Sequence, residues 1–379
     1  MISTRRTILM TMAVFALQPL ALGAWLALIP HVKETLDLSK AELAFALLGQ
    51  PLAVIPGLQI ASRVLNLIGP RRILALGFVM QPFAYLLPIN ATGQGTLFLA
   101  LMVIGLASAF TQVCLNVYAG RLEKQLFVTV MSRCHGFWAL GLMVGSFLIV
   151  VFASLGVLNS LMLIAVPSAI IGAYIALTLP KLDGEASGAK SPPRRKFSEL
   201  PRALIYISLF VMAIAMSEGA MSDWAAIYLA ERLPPEATHA GIAITIFAGF
   251  LAMGRMIGDV LKTWLGAAGL ARWTIGLAIM GLCIMVLPLP LVFVYISFGF
   301  MGLGLSVGFP LGVSAVAALD DRYESANIAI MSSVALCGFL IGPPLIGLLS
   351  DSFSLRIGLA ALLPGLIGAF WLSHVLKHR

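Results

Sequence analysis

The sequence predicts an all-α membrane protein of twelve transmembrane helices arranged as two pseudo-symmetric six-helix bundles. Three observations predict it. Sixty per cent of the residues are hydrophobic and 11% are charged, with a mean hydropathy of +1.01, far from the mixture that keeps a water-soluble surface wet. The apolar residues fall into twelve windows of the roughly 20 residues that a helix needs to cross about 30 Å of hydrocarbon. A pattern of glycines and charges in the first half of the chain also returns in the second half at one constant offset.

The windows are Ile8 to Pro30, Ala41 to Leu65, Ile73 to Thr92, Leu97 to Gly120, Val130 to Ser154, Val157 to Pro180, Ala203 to Leu229, Ala237 to Thr263, Leu270 to Leu289, Leu291 to Ala318, Ala326 to Ser350 and Ser354 to Ser373. The first follows Arg5-Arg6 as a signal peptide would. Eleven more spans come after it, so it reads as an uncleaved helix. Period-two alternation is absent and the runs are too long for barrel strands, so helices are what can satisfy the backbone in lipid.

With the N-terminus inside, only Lys33, Lys40, Arg232 and Arg356 of the 24 Lys and Arg residues fall outside. That positive-inside bias assigns both termini to the cytoplasm. The formal net charge of +8 is thus a topology signal and not a nucleic-acid footprint, for which a clustered basic face is needed. Cys114, Cys134, Cys283 and Cys337 lie in or beside spans with no ligand spacing and read as small packing residues.

Between the sixth and seventh spans runs KLDGEASGAKSPPRRKFSEL, the longest polar stretch of the chain. It separates an N-terminal bundle over residues 1–180 from a C-terminal bundle over 201–379, with a cytoplasmic linker at 181–200. Gly184 to Ser191 nearly spells a phosphate-binding loop, but Ala189 stands where the second glycine belongs and no strand precedes it, so the match is chance. The repeat lies at the end of the second span of each half: Gly57 and Gly69 in the first, Gly254 and Gly266 in the second. Internal repetition suggests two bundles that rock about a shared midplane site.

These loops resemble the signature loop of the major facilitator superfamily, which carries Gly, an acidic residue, Arg, Gly and a basic pair. In the first copy Gly69 and Arg71-Arg72 match, while Asn66 and Leu67 replace the acidic and the following basic residue. The second copy keeps GRMIGD, Gly254 to Asp259. Further stretches resemble the MosC-like branch of bacterial inner-membrane proteins, which is associated with rhizopine transport and is distantly similar to fucose-proton symporters. They are Asn116 with Glu123, MSRCHGFWALG (Met131 to Gly141), EGAMSDWAAIYL (Glu218 to Leu229), GLGLSVGFP (Gly302 to Pro310) and GFLIGPPLIGLL (Gly338 to Leu349). The resemblance implies the major facilitator fold and transport across a bacterial inner membrane.

Ionisable residues inside a membrane are costly and therefore informative. Only the seventh span holds carboxylates well inside its apolar window and away from its cytoplasmic end: Glu218 and Asp223. Glu218 falls roughly 22 Å along that helix and Asp223 near its far mouth; five residues are about 140° apart, so the two are expected on different faces. Glu218, and after it Asp223, are candidates for taking up and releasing a proton in step with a solute; a structural hydrogen bond to a neighbouring helix is the plainer reading. Arg255 and Asp259, four apart on the eighth span, can pair, and the resemblance makes that pair a conformational latch.

Gln18, Gln50, Gln81, Gln112 and Asn116 are candidate cavity amides that would either glue helices together or meet a hydroxylated ligand. His135 opens the fifth span as a helix-start anchor or a cavity group. Trp25, Trp138, Trp224, Phe247 and Phe250 could stack on a ring, with interfacial anchoring the alternative for Trp25 and Trp224. Gln112 stands where the branch often has an acidic residue, which leaves the N-terminal half without a carboxylate for simple proton symport. Gly342-Pro343-Pro344 should bend the eleventh span.

Together these features predict a monomeric secondary active transporter of a small polar organic solute, a sugar, cyclitol or vitamin-like ring compound, with the bilayer and protons as its other partners. No cofactor, metal or nucleic acid is expected, and no catalytic motif such as HExxH or GxSxG is present. Efflux of drugs or metabolites, or ligand binding without transport, is the alternative.

Overall fold

A computed structural model describes residues 4–182, 200–234, 239–320 and 323–377. Most of the 181–200 linker, and all of Gly184 to Ser191, lie outside these residues. The described chain is helical, without a strand. The helices before the linker are α1 (Thr4–Leu17), α2 (Leu20–Thr35), α3 (Lys40–Leu47), α4 (Gly49–Ile68), α5 (Pro70–Ile89), α6 (Gln94–Leu126), α7 (Met131–Val151) and α8 (Val157–Thr178). After it come α9 (Arg202–Ala230), α10 (Ile242–Val286), α11 (Leu291–Leu305), α12 (Gly308–Ala317), α13 (Glu324–Ser352), α14 (Leu355–Ala360) and α15 (Leu363–Leu372). Side chains such as Leu76, Phe83, Ile170, Tyr174, Trp273 and Trp371 stand exposed on the outside, as a bilayer solvent favours and water does not.

Local chemistry explains the interruptions. Pro19 has no N–H for the helical ladder, and the first crossing breaks there into α1 and α2. A capping box starts α3: Ser39 Oγ accepts from Glu42 N at 3.1 Å and Glu42 Oε2 accepts from Ser39 N at 2.9 Å. Eleven segments among the described residues are long and apolar enough to cross a membrane. The 45-residue α10 holds two of the expected crossings, because Gly266 (φ 68°, ψ 165°) interrupts it. Gly69, its counterpart in the repeat, has φ 81° and ψ 157°. Both positions adopt a backbone that side chains resist, which is why the two loops share a glycine. α13 runs through Pro343 and Pro344 without interruption.

The two bundles meet unequally at the two membrane faces. On the face away from the termini, Lys40 Nζ pairs with Glu231 Oε1 at 2.8 Å and Lys40 N donates to Asp351 Oδ1 at 3.2 Å. Close beside these contacts, Gly347 of α13 abuts Ala44 of α3, and Gly241 abuts Ala27 of α2. Towards the terminal face α4 diverges from α13, while α7 and α10 stay packed along their length, with Ser146 Oγ and Thr245 Oγ1 3.0 Å apart nearer the far face and Gly136 against Met256 nearer the terminal one. The molecule is closed on the far face; towards the terminal one α4 and α13 part while α7 and α10 remain in contact.

Lys40→Glu would set three carboxylates together at that closure. It should open the far face and raise the maleimide labelling rate of a cysteine placed at Ala44 by about fivefold, the equivalent of roughly 1 kcal/mol for a half-exposed pair. An unchanged rate would remove the pair from the closure.

Candidate functional site

Where the bundles part lies a cavity of ≈ 230 Å³, small beside the several hundred Å³ of typical ligand sites. α2, α3, α4, α6 and α7 line it from one half, and α9, α10 and α13 from the other. Six of the candidate residues reach it: Gln50, Gln112, Trp138, Glu218, Asp223 and Phe247. Glu218 and Asp223 both face it, contrary to the expectation of different faces. The lining stripe of α9 also takes in Gly219 and Ser222 and spans the full arc of about 140°, with the two carboxylates at its edges.

Arg255 does not pair with Asp259. Its Nη2 donates to Glu218 Oε1 at 2.9 Å, with side chains only 9% and 17% exposed, and its Nε donates to the Ser306 carbonyl at 3.4 Å. No ion pair joins Arg255 to Asp259 among the described residues, although both border a cleft of ≈ 30 Å³ near the terminal face. In place of the ion pair expected within α10 there is a bridge from α10 to α9, and it neutralises one of the two cavity carboxylates. Helical spacing identifies the residues that share a face of one helix, but Arg255 is long enough to cross to the next.

Gln18 and Gln81 are buried behind the wall and do not line the cavity. They form a support: Trp138 Nε1 donates to Gln18 Oε1 at 2.8 Å, Gln81 Nε2 donates to the Gln18 carbonyl at 2.9 Å, and Gln18 Nε2 reaches Thr111 Oγ1 at 3.5 Å. The break at Pro19 leaves the Gln18 carbonyl for a side chain to occupy, and the Gln81 amide takes it. Gln18 in turn holds the Trp138 indole by its N–H.

Trp25 and Trp224 are fully buried in the core, neither lining the cavity nor reaching the lipid interface. Asn116 is exposed. Phe250 is 39% exposed and packs on Gly299 of α11. His135 stands edge-on to Phe15 of α1, ring centroids 5.7 Å apart. None of these three lines the cavity. The lining also includes Leu336 of α13, which nothing in its sequence context singles out, Phe339, which lies within the Gly338 to Leu349 stretch but is not marked there as a cavity residue, and Ser222, which one helical turn beyond Glu218 could have pointed to.

Comparison with known proteins agrees with this architecture. The family model described as Major Facilitator Superfamily matches residues 7–319. An "Uncharacterized transporter" of Sinorhizobium fredii is 28% identical over 357 residues, covering 90% of this chain and 91% of the relative. The "Membrane protein MosC" of Rhizobium meliloti is 25% identical over 346 residues, covering 90% of this chain and 83% of the relative. Among solved structures, the nucleoside transporter NupG superposes with a TM-score of 0.75 at 13% identity, over 98% of this chain and 100% of that one.

Proposed function

Because the chain belongs to the Major Facilitator Superfamily and is by that membership a secondary transporter and not an enzyme, we propose that it carries a small polar organic solute across a bacterial inner membrane by alternating access. The observation that carries this reading is the cavity between the halves, lined from both and closed on the far face by contacts between them. Residues 1–180 and 201–379 are the two moving bodies and 181–200 the link between them. The excess of Lys and Arg on the terminal face supports a cytoplasmic location for both termini, and on that reading the far-face closure shuts the cavity from outside. Both halves of a single chain contribute to the lining, which fits a protein that acts as a monomer.

Sugars, cyclitols and vitamin-like ring compounds suit a small cavity that combines the amides of Gln50 and Gln112 with the rings of Trp138 and Phe247. Glu218 is the proposed proton site: in the cavity wall and paired with Arg255, it would exchange its ion pair for a proton as solute binds or leaves. Counterflow of labelled sugars, cyclitols and ring compounds into proteoliposomes tests the transport reading; binding without counterflow would make the protein a receptor. Glu218→Gln in the same vesicles should abolish the pH dependence of uptake, and a variant that keeps the wild-type pH profile would take Glu218 out of the coupling.

A further inference from the structure

Among the described residues, Glu218 and Asp223 are the only charged side chains lining the cavity, and they are not equivalent. Glu218 is neutralised by Arg255. Asp223, one and a half turns further along α9, is partly buried and has neither a hydrogen bond nor an ion pair to its side chain among the described residues. A carboxylate withdrawn from water without a partner is unfavourable, and no Lys, Arg or His in the lining relieves it. The other polar lining groups are amides and a hydroxyl, and Ser222 Oγ already donates to the Glu218 carbonyl at 3.0 Å. The Trp138 N–H is taken by Gln18, so that residue offers the cavity its ring and not a donor. The site as built holds one carboxyl group without a partner, Asp223, together with two π-systems, Trp138 and Phe247.

We infer that the cavity selects a cationic solute, an organic amine or ammonium, whose positive charge is received by the Asp223 carboxylate. This rests on the transport reading above and narrows the substrate class of the same site. A carboxylate with aromatic faces is the arrangement that recognises ammonium groups. An anion meets no cation in the lining. A neutral isostere can hydrogen-bond Asp223 but leaves its charge unbalanced, so the ammonium form is preferred over both.

Two measurements test it on the full-length protein. The first needs no knowledge of the ligand. Ser222→Cys is made in a background where Cys283 and Cys337, the two cysteines that are not buried, are serine. It is then labelled with 2-aminoethyl and 2-sulfonatoethyl methanethiosulfonate. Relative to a free thiol, the cationic reagent should react at least about tenfold faster than the anionic one, an advantage of the size that a nearby unit charge gives. Asp223→Asn should erase that preference and Asp223→Glu should restore it. Equal rates for the two reagents, or a preference that survives Asp223→Asn, would overturn the inference.

The second measurement compares matched triads, tyramine with tyrosol and 4-hydroxyphenylacetate, and glucosamine with glucose and glucuronate, by thermal shift at a pH where the amines are protonated. The amine should stabilise the wild type most and lose that advantage in Asp223→Asn. Tighter binding of a neutral or acidic member counts against the inference, and if no member binds, the labelling result decides it. The two readings fail separately. Counterflow of a neutral solute together with charge-indifferent labelling keeps transport and removes the amine. Asp223-dependent amine binding without counterflow keeps the amine and removes transport.

Discussion

Replacing Arg255 with alanine should destabilise the protein by about 3 kcal/mol, because it strands the Glu218 carboxylate, 17% exposed, beside a cavity with no cation in its lining. Glu218→Ala should cost less, because the guanidinium it leaves behind keeps its contact with the Ser306 carbonyl. The double variant Glu218→Ala with Arg255→Ala should lose clearly less than the sum of the two, a coupling of more than about 1 kcal/mol in a double-mutant cycle. Arg255→Lys should fail to rescue, since one ammonium cannot serve both the carboxylate on α9 and the carbonyl at Ser306. Asp259→Asn should stay within about 0.5 kcal/mol of the wild type, because Asp259 takes no part in the pair. Denaturation in detergent, followed by tryptophan fluorescence, reads all of these. Additive losses, or an Asp259 effect as large as that of Arg255, would return the latch to α10.

That partner exchange shows what can be read from the chain and what cannot. The crossings are legible because lipid imposes length and apolarity on every spanning segment, and the repeat is legible because Gly69 and Gly266 meet the same demand on φ. Glu218 and Asp223 stand out because charge in a membrane is rare. The direction of each side chain is a different matter. Trp25 and Trp224 near helix ends read alike whether they face lipid or the interior, and the interior holds both. Gln18 reads as a lining amide, but Pro19 turns the chain there and makes it the hinge of a support for Trp138. The far-face closure is not visible at all: Lys40, Glu231 and Asp351 come together from three distant parts of the chain, and their spacing in sequence carries no sign of it.

Gly145→Ala should be among the most damaging single-methyl changes in this protein, while Gly342→Ala, its counterpart in the repeat, should be nearly silent. A Cβ at Gly145 would land on the backbone carbonyl of Leu20, and one at Gly141 on that of Ala16. Backbone cannot yield without moving a helix, so α7 would have to separate from the first crossing. The loss expected is about 2–3 kcal/mol, the upper range for overpacking. At Gly342 the added methyl would lie 3.3 Å from Met216 Cγ and 3.4 Å from its carbonyl, and a methionine side chain can swing aside. The helical preference of alanine, up to about 1 kcal/mol, then offsets what contact remains.

The same comparison extends to Gly141 and Gly338. Here both substitutions meet backbone, since a Cβ at Gly338 would come within 2.6 Å of the Met212 carbonyl, so both should cost stability. The crossing of α7 on the first span is thus tight over two successive turns, and that of α13 on α9 over one. Helices that must slide past each other tolerate looseness, and the looser crossing is the one whose α9 carries Glu218 and Asp223. Melting temperatures of the four alanine variants, measured side by side in detergent, test this. Equal losses at Gly145 and Gly342 would show that the two halves pack alike and that the asymmetry of the site has no counterpart in its scaffold.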